Sequence, residues 1–309
     1  MQRWRGLEQV PPGWGRCVLT IGVFDGVHRG HQALIGAAVQ RGAELGLPVV
    51  VMTFDPHPAE VVRAGAHPGL LSSLPRRAEL VAALGADVFL VVPFTPAVAA
   101  IEAESFIHDV IVDTLHAAAV VVGENFRFGH KAAGSLDMLD ELGRRFGFTA
   151  SGIGLVTDDS LAVSSTYVRS CVAAGDVAAA AEALGRPHRI DGFVVHGEGR
   201  GGSELGYPTA NLDVIAHTAV PADGIYAGWF LLGSRRSPAA ISIGSNPTFS
   251  GQVRTIEAFV LDDGGNFYGR RVALEFVARL RGMERFDSAE ELVAQIGRDV
   301  QRTREILGV

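Results

Sequence analysis

Between residues 17 and 155, short apolar runs alternate with helical stretches, and few folds accommodate this alternation. The runs are rich in Val and Ile and apolar on both faces, which is typical of parallel strands covered by helices. The runs lie at residues 17–23, 49–54, 88–92, 119–123 and 149–153, and the helical stretches at 32–45, 76–84, 102–115 and 136–146. This order predicts a doubly wound, Rossmann-like α/β domain.

Beyond residue 189 the pattern changes to short alternating segments separated by Gly, Pro, Asn and Asp clusters. The segments lie at residues 191–195, 224–232, 239–243, 255–261 and 271–276, and an amphipathic stretch follows at 288–307. Evenly spaced short strands with turn signals predict a small antiparallel β-barrel with a C-terminal helix. Two short helices, broken at Gly175, precede this change. We therefore predict domains at 1–185 and 186–309.

Charge and lysine content exclude several classes of function. The 309 residues include 27 Lys and Arg against 34 Asp and Glu, a formal net charge of −7, which argues against a general nucleic-acid binder. The solitary lysine, Lys131, excludes a Walker-type phosphate loop, because that loop needs Gly-Lys-Ser/Thr. The N-terminus has no apolar leader and the chain has no run of 18 apolar residues, so we expect a cytoplasmic protein with neither a nucleic-acid nor a membrane partner.

The first apolar run leads directly into GVFDGVHRGH at residues 22–31, and a helix follows. Glycines at a strand-to-helix turn allow close backbone approach, and a helix N-terminus attracts phosphate. His28 and His31, three residues apart at this helix start, can both donate to phosphate oxygens. A glycine-rich turn whose histidines only cap the helix is the alternative, but the paired histidines favour a nucleotide site.

This motif resembles the signature of the nucleotidyltransferase superfamily, whose histidines stabilise the triphosphate as pyrophosphate leaves. A second signature of that superfamily is matched by VSSTYVR at residues 163–169, although Ser-Ser-Thr alone is simply a good helix N-cap. The resemblance implies catalytic roles for His28, His31 and Arg169. It implies nucleotide contacts from residues of both motifs, namely Gly22, Phe24, Asp25, Gly26, His28, His31, Ser164, Ser165, Thr166 and Arg169.

Two further segments, TFDPHP at residues 53–58 and GENFRFG at residues 123–129, follow predicted strands. Ligands bind at the carboxyl ends of strands in open α/β sheets, and Phe, Pro and Asn suit a flat aromatic ligand with one polar edge. An ordinary loop with aromatic packing is the alternative. Both segments resemble those that line the FMN site of bifunctional riboflavin kinase/FAD synthetases. The resemblance implies flavin contacts from Phe54, Pro56, Asn125 and Phe126, and a catalytic role for Asn125.

In the second half, GEGRGG at residues 197–202 is a candidate lid, and PTAN at residues 208–211 has a hydroxyl and an amide oxygen two residues apart. Hard oxygen ligands of this kind suit Mg²⁺ that carries a nucleotide, so Thr209 and Asn211 are candidate metal ligands. A turn with a self-bonding Asn is the alternative. Gly197 and Arg200 of the candidate lid are predicted nucleotide contacts.

The order of several motifs resembles that of riboflavin kinases. These motifs are PTAN, GIYA at residues 224–227, SIGSNPTF at 242–249 and FYG at 267–269. That family uses a glutamate on the strand after NPTF as its base, and Glu257 is the matching residue. Its chain neighbours Ile256 and Ala258 are apolar, which predicts a poorly solvated carboxylate. A last segment, LRGMERFDS at 280–288, implies a flavin contact from Arg281, with Gly where the family usually has Pro.

The resemblance covers residues 16–305 and implies a bifunctional enzyme. Such an enzyme phosphorylates riboflavin to FMN with ATP and Mg²⁺, and then adenylylates FMN with a second ATP to give FAD and pyrophosphate. Its partners are ATP, riboflavin and FMN, and a weak or transient homo-oligomer is compatible with the sequence. Two alternatives stay open: a nucleotidyltransferase whose barrel only binds flavin, and a flavin-storage module without activity.

Overall fold

The computed structural model describes residues 1–63, 65, 68–154, 156–158, 161–196, 207–248, 251–263 and 265–309. These residues form two compact units, one of Met1–Pro68 with Ser73–Ser164 and one of Gly69–Ser72 with Ser165–Val309. The second unit therefore includes both helices before residue 185 that we assigned to the first domain. The reason is visible in the packing, because Val177 belongs to the same core as the barrel strands.

The first unit contains a six-stranded sheet in which the paired strands run parallel. Its strands are β1 Gln2–Arg5, β2 Cys17–Ile21, β3 Val49–Asp55, β4 Val88–Pro93, β5 Ala117–Gly123 and β6 Thr149–Ile153, in the order β1-β4-β3-β2-β5-β6. Its helices are α1 Arg29–Leu45, α2 Pro58–Val62, α3 Leu74–Ala83, α4 Pro96–Ala99, α5 Ala103–Phe106 and α6 Leu136–Phe146, with a π-helical segment at Ile107–Thr114 after α5. The predicted Rossmann-like class is confirmed. The chain leaves β2 toward β3 and β4 and later returns to its other side with β5, which opens a crevice at the carboxyl end of β2.

Alternate side chains of the central strands supply two separate cores. Leu19 and Met52 pack on one face of the sheet, and Val18 and Val51 pack on the other. Burial on both faces explains why these strands read as continuous apolar runs. The edge strand β1 has no such run, because Trp4 alone of its residues is buried.

The second unit is built around a closed antiparallel barrel. Its elements are α7 Ser165–Ala174, α8 Val177–Leu184, β9 His188–Val195, β10 Thr209–Val214, β11 Gly224–Leu232, β12 Arg235–Thr248, β13 Gly251–Val260, β14 Arg271–Arg281 and α9 Ala289–Leu307. The barrel strands are paired in the order β10-β13-β12-β11-β14-β9. A short β7–β8 pair, Thr157–Asp158 with Leu161–Ala162, precedes α7. The predicted antiparallel barrel and C-terminal helix are confirmed, and Ser288 caps α9 by accepting from the Glu291 amide.

Within the part of the chain that the structure describes, no helix is both long enough and apolar enough to span a bilayer.

Candidate active sites

The turn between β2 and α1 has an irregular backbone. We call residues 22–31 the histidine loop. Phe24, Gly26 and Val27 have φ angles of 52°, 81° and 41°, in the left-handed region. Only Gly26 adopts such a conformation at little cost, so the surrounding structure must hold the other two. The predicted first strand, 17–23, ends early at Ile21 because this turn begins at Gly22.

The two histidines of this loop stack on each other at the N-terminus of α1. Their ring centroids are 3.6 Å apart with 23° between the planes, and Phe24 packs edge-on against His31 at 5.2 Å. His28 is the N-cap, and its Nδ1 accepts from the His31 amide at 3.4 Å. A neutral His28 that accepts through Nδ1 carries its proton on Nε2, and this N–H can donate to an anion. The helix N-terminus supplies further donors for the same anion.

Asp25 and Phe24 are fully buried, so neither presents its side chain to a ligand at the loop surface. Asp25 instead forms an ion pair with Arg77 of α3, with 3.2 Å between Oδ1 and the guanidinium. The two side chains support the loop from beneath, and the predicted nucleotide contacts of these residues stay predictions. Arg77 carries no motif signal, since its helix looks like an ordinary sheet-covering helix.

The second nucleotide motif begins beside the first. A Cβ built on Gly30 would lie 3.1 Å from the His28 ring and 3.4 Å from the carbonyl of Val163, the residue before Ser164. Ser165 and Thr166 occupy the first turn of α7. Arg169, on the same helix, is half-buried, and its Nε donates to the Gly69 carbonyl at 2.7 Å.

A cavity of about 910 Å³ opens at the carboxyl ends of β2 to β5. Phe54, Asn125 and Phe126 line it, together with Gly22 and Val23 of the histidine loop. Among the described residues, Pro58 lines this cavity and the exposed Pro56 does not, so the contact from Pro56 stays a prediction. The cavity thus joins the predicted flavin residues to the start of the histidine loop.

Sequence reasoning missed several residues of this cavity. Phe94 packs edge-on against Phe54 at 5.4 Å, and Phe128 stacks near Phe126 at 5.5 Å. Phe94 follows β4 directly, so the rule that located Phe54 would also have found it. Lys131 has a left-handed φ of 53° and lines the same cavity.

In the barrel, the strand register brings the candidate base and the candidate metal ligands together. Asn211 of β10 is paired with Glu257 of β13, and the Thr209 hydroxyl donates to Glu257 Oε2 at 3.1 Å. Ile256 and Ala258 are buried in the core, whereas Glu257 is half-buried, so the three side chains share the outer face of the barrel.

The prediction of a poorly solvated Glu257 is wrong. Its chain neighbours are apolar, but they point to the other face of the strand. On its own face Glu257 meets two hydroxyls, those of Thr209 and Thr255, the latter at 3.5 Å from Oε1, and it is paired across the strands with Ser242. The carboxylate therefore lies among polar side chains rather than in an apolar pocket.

The remaining predicted residues of the second half have separate outcomes. Gly197 and Arg200 lie outside the described residues. Arg281 binds Asp299 of α9 with Nε and a terminal nitrogen, the shortest contact being 2.8 Å, and the two side chains are 15% and 9% exposed. Arg281 therefore anchors the C-terminal helix to the end of β14, and its flavin contact stays a prediction.

Comparison with known proteins agrees with both halves. The family model described as FAD synthetase matches residues 11–167, and the one described as riboflavin kinase matches residues 184–307. The two matches follow the division between the parallel-sheet unit and the barrel.

Relatives match nearly the whole chain. A protein named bifunctional riboflavin kinase/FMN adenylyltransferase from Escherichia coli K12 is 37% identical over 294 residues, which are 95% of this chain and 93% of that protein. The protein of the same name from Pseudomonas fluorescens is 38% identical over 307 residues, 99% of this chain and 98% of that protein. A crystal structure titled a macrolide-efflux protein from Streptococcus pneumoniae superposes with a TM-score of 0.89 at 29% identity, covering 98% of this chain and 99% of that one.

Proposed function

Since the chain belongs to the family of bifunctional riboflavin kinases/FMN adenylyltransferases, we propose an assignment of its two reactions to particular residues. The enzyme phosphorylates riboflavin to FMN with ATP and adenylylates FMN with ATP to give FAD and pyrophosphate. We assign adenylylation to residues 1–185 and phosphorylation to residues 186–309.

For adenylylation, the FMN phosphate oxygen attacks the α-phosphorus of ATP, and the bond from this phosphorus to the bridging oxygen of pyrophosphate breaks. The stacked rings of His28 and His31, at the N-terminus of α1, support the assignment of this histidine pair to the triphosphate. Their N–H groups donate to oxygens whose negative charge grows as pyrophosphate leaves. The resemblance assigns Ser165, Thr166 and Arg169 to the same phosphates. Positioning and charge stabilisation suffice, and no covalent enzyme intermediate is formed.

The cavity of the first unit supports the flavin assignment. Its aromatic lining by Phe54 and Phe126 suits the flat isoalloxazine ring, and Asn125 offers an amide to a polar edge of that ring. Gly22 and Val23 belong both to this lining and to the histidine loop. A flavin bound there therefore has its phosphate end near the nucleotide.

For phosphorylation, Glu257 takes the proton of the ribityl 5′-hydroxyl of riboflavin. The hydroxyl oxygen attacks the γ-phosphorus of ATP, and ADP leaves. The hydrogen bond from Thr209 holds the carboxylate in place. The hydroxyl of Thr209 and the amide oxygen of Asn211 share the face of Glu257, and this oxygen donor set fits Mg²⁺. When bound, Mg²⁺ neutralises phosphate charge.

The assignment of phosphorylation to the barrel rests on one observation. The side chains of Thr209, Asn211 and Glu257 lie together across β10 and β13. Two motifs separated by 48 positions along the chain come together there with the chemistry of phosphoryl transfer. The substrates support a cytoplasmic location, and a weak or transient homo-oligomer stays a prediction.

A product assay tests the function. Wild-type protein incubated with riboflavin, ATP and Mg²⁺ should yield first FMN and then FAD on chromatography, and chelation of Mg²⁺ should stop both. A nucleotidyltransferase whose barrel only binds flavin would make FAD from added FMN and never from riboflavin. A storage module would yield neither product.

A further inference from the structure

Arg77 of α3 is a buried cation beneath the histidine loop. Its side chain is 5% exposed and its partner Asp25 is 1% exposed. The guanidinium also donates to the Val23 carbonyl at 2.9 Å and to the Thr53 hydroxyl at 3.4 Å. Thr53 in turn donates to the same Val23 carbonyl at 2.8 Å. One side chain thus joins the histidine loop to β3.

The hydrogen bonds of Arg77 reach residues of the histidine loop that lie next to residues with left-handed φ angles. Asp25 stands between Phe24 and Gly26, two residues with left-handed φ angles, and Val27 is a third. Non-glycine residues persist in this region only where their surroundings hold them. Since Val27 directly precedes the N-cap His28, a change of backbone direction at this turn would move both histidine rings.

We propose that Arg77 is the positioning residue of the adenylylation site. It holds the turn at residues 23–27, and so aims His28 and His31 at the triphosphate without contacting the substrate itself. The inference rests on the proposed function of the histidine pair. A planar guanidinium is suited to this role because it can donate to a carboxylate, a carbonyl and a hydroxyl at once, which an ammonium cannot match in geometry.

The neighbouring Arg76 offers a matched control. It lies on the same helix and forms an i,i+3 pair with Glu79 at 2.9 Å, with 21% of its side chain exposed. Riboflavin phosphorylation by the barrel is a second control, because it shows whether the protein molecules of each variant are still folded and active. The variants are Arg77→Met, Arg77→Lys, Arg76→Met and the double variant Asp25→Asn/Arg77→Met.

The measurements are kcat and KM for adenylylation of FMN, the rate of riboflavin phosphorylation and the thermal unfolding midpoint. Arg77→Met should lower kcat for adenylylation about 100-fold, the size expected for misplaced catalytic groups. Arg77→Lys should lower it about tenfold, since one donor group is kept. The Arg77 variants should phosphorylate riboflavin at the wild-type rate, and Arg76→Met should keep all wild-type rates.

The double variant separates positioning from stability. Arg77→Met leaves the Asp25 carboxylate buried without its partner, which lowers the unfolding midpoint, whereas the double variant removes both charges. We expect the thermal unfolding midpoint of the double variant to return most of the way to the wild-type value, while its kcat for adenylylation stays low. Wild-type kcat in the folded double variant, or in Arg77→Lys if the double variant does not fold, would overturn the role of Arg77. Absence of FAD formation by wild-type protein and Arg76→Met would instead overturn the proposed function itself.

Discussion

The histidine loop of the first unit is an irregular turn held from beneath, whereas Thr209, Asn211 and Glu257 of the second unit stand on two regular strands. In the loop, the backbone conformation depends on Arg77, which is 52 positions away from Asp25 in the chain. In the barrel, the pairing of Asn211 with Glu257 follows from the register of β10 with β13.

The two sites are therefore sensitive to different kinds of substitution. A site on regular strands is positioned by many backbone hydrogen bonds, so a side-chain substitution there removes chemistry and leaves the geometry in place. A site on a turn depends on a few buried side chains, so substitutions away from the reacting atoms also matter.

The largest effect should come from Glu257→Gln. The amide keeps the shape and can still accept from the Thr209 hydroxyl, but it cannot take a proton. Riboflavin phosphorylation should fall between about 10²- and 10⁴-fold, the usual contribution of a general base. Adenylylation of added FMN, followed by chromatography, should stay at the wild-type rate. Undiminished FMN formation from riboflavin would remove Glu257 from the mechanism.

On the loop side, His31→Ala should lower FAD formation about 10²- to 10³-fold, because a donor to the developing phosphate charge is lost. FMN should accumulate when riboflavin is supplied. His108→Ala is the matched control, since His108 is an exposed histidine of the same unit whose pKa is raised chiefly by its hydrogen bond to Asp109. An equal loss in both variants would show that the histidine loop has no special part in the reaction.

Arg281→Met tests a buried pair within the second unit. Because Asp299 is left nearly buried without its cation, the free energy of unfolding measured with denaturant should fall by about 3 kcal/mol. Arg302→Met, which breaks an exposed i,i+3 pair with Glu305, should leave the free energy of unfolding close to the wild-type value. Unchanged stability in Arg281→Met, together with weaker riboflavin binding, would instead support the flavin contact predicted from the sequence.

A smaller catalytic effect should come from Thr209→Val, which removes one hydroxyl bonded to the Glu257 carboxylate. A hydrogen bond to a charged group contributes about 1.5 kcal/mol, so kcat for riboflavin phosphorylation should fall about tenfold. Thr209→Ser should restore the rate. Thr255→Val should cost less, because the Thr255 hydroxyl lies farther from the carboxylate, at 3.5 Å. A larger loss from Thr255→Val than from Thr209→Val would contradict the described geometry.

Local signals explain how much of the fold could be predicted. Helix α6 is predicted with its observed bounds, because Ser135 caps its start and Gly147 its end. The four-residue β1 escaped prediction since its one buried side chain makes no pattern. The stretch 102–115 was predicted as one helix, yet it changes from α to π at Ile107, and apolar periodicity does not separate these two windings.

The residues of the candidate sites could likewise be predicted only in part. Motifs predicted the reacting groups, His28 and Glu257 among them, because the chemistry requires those residue types. The strand β10 was missed, since PTAN resembles a turn until pairing with β13 makes it a strand. The pairing of Asp25 with Arg77 likewise depends on a contact across 52 positions, and no local pattern of a single sequence contains it.

The most direct test of two separate sets of catalytic groups is a mixing experiment with Glu257→Gln and His31→Ala. Each protein is incubated with riboflavin, ATP and Mg²⁺, alone and together, and the flavins are resolved by chromatography. Alone, Glu257→Gln should leave riboflavin unchanged and His31→Ala should stop at FMN, whereas the mixture should produce FAD from released FMN. If folded His31→Ala protein lost riboflavin phosphorylation as well, or if the mixture formed no FAD, the account would be contradicted.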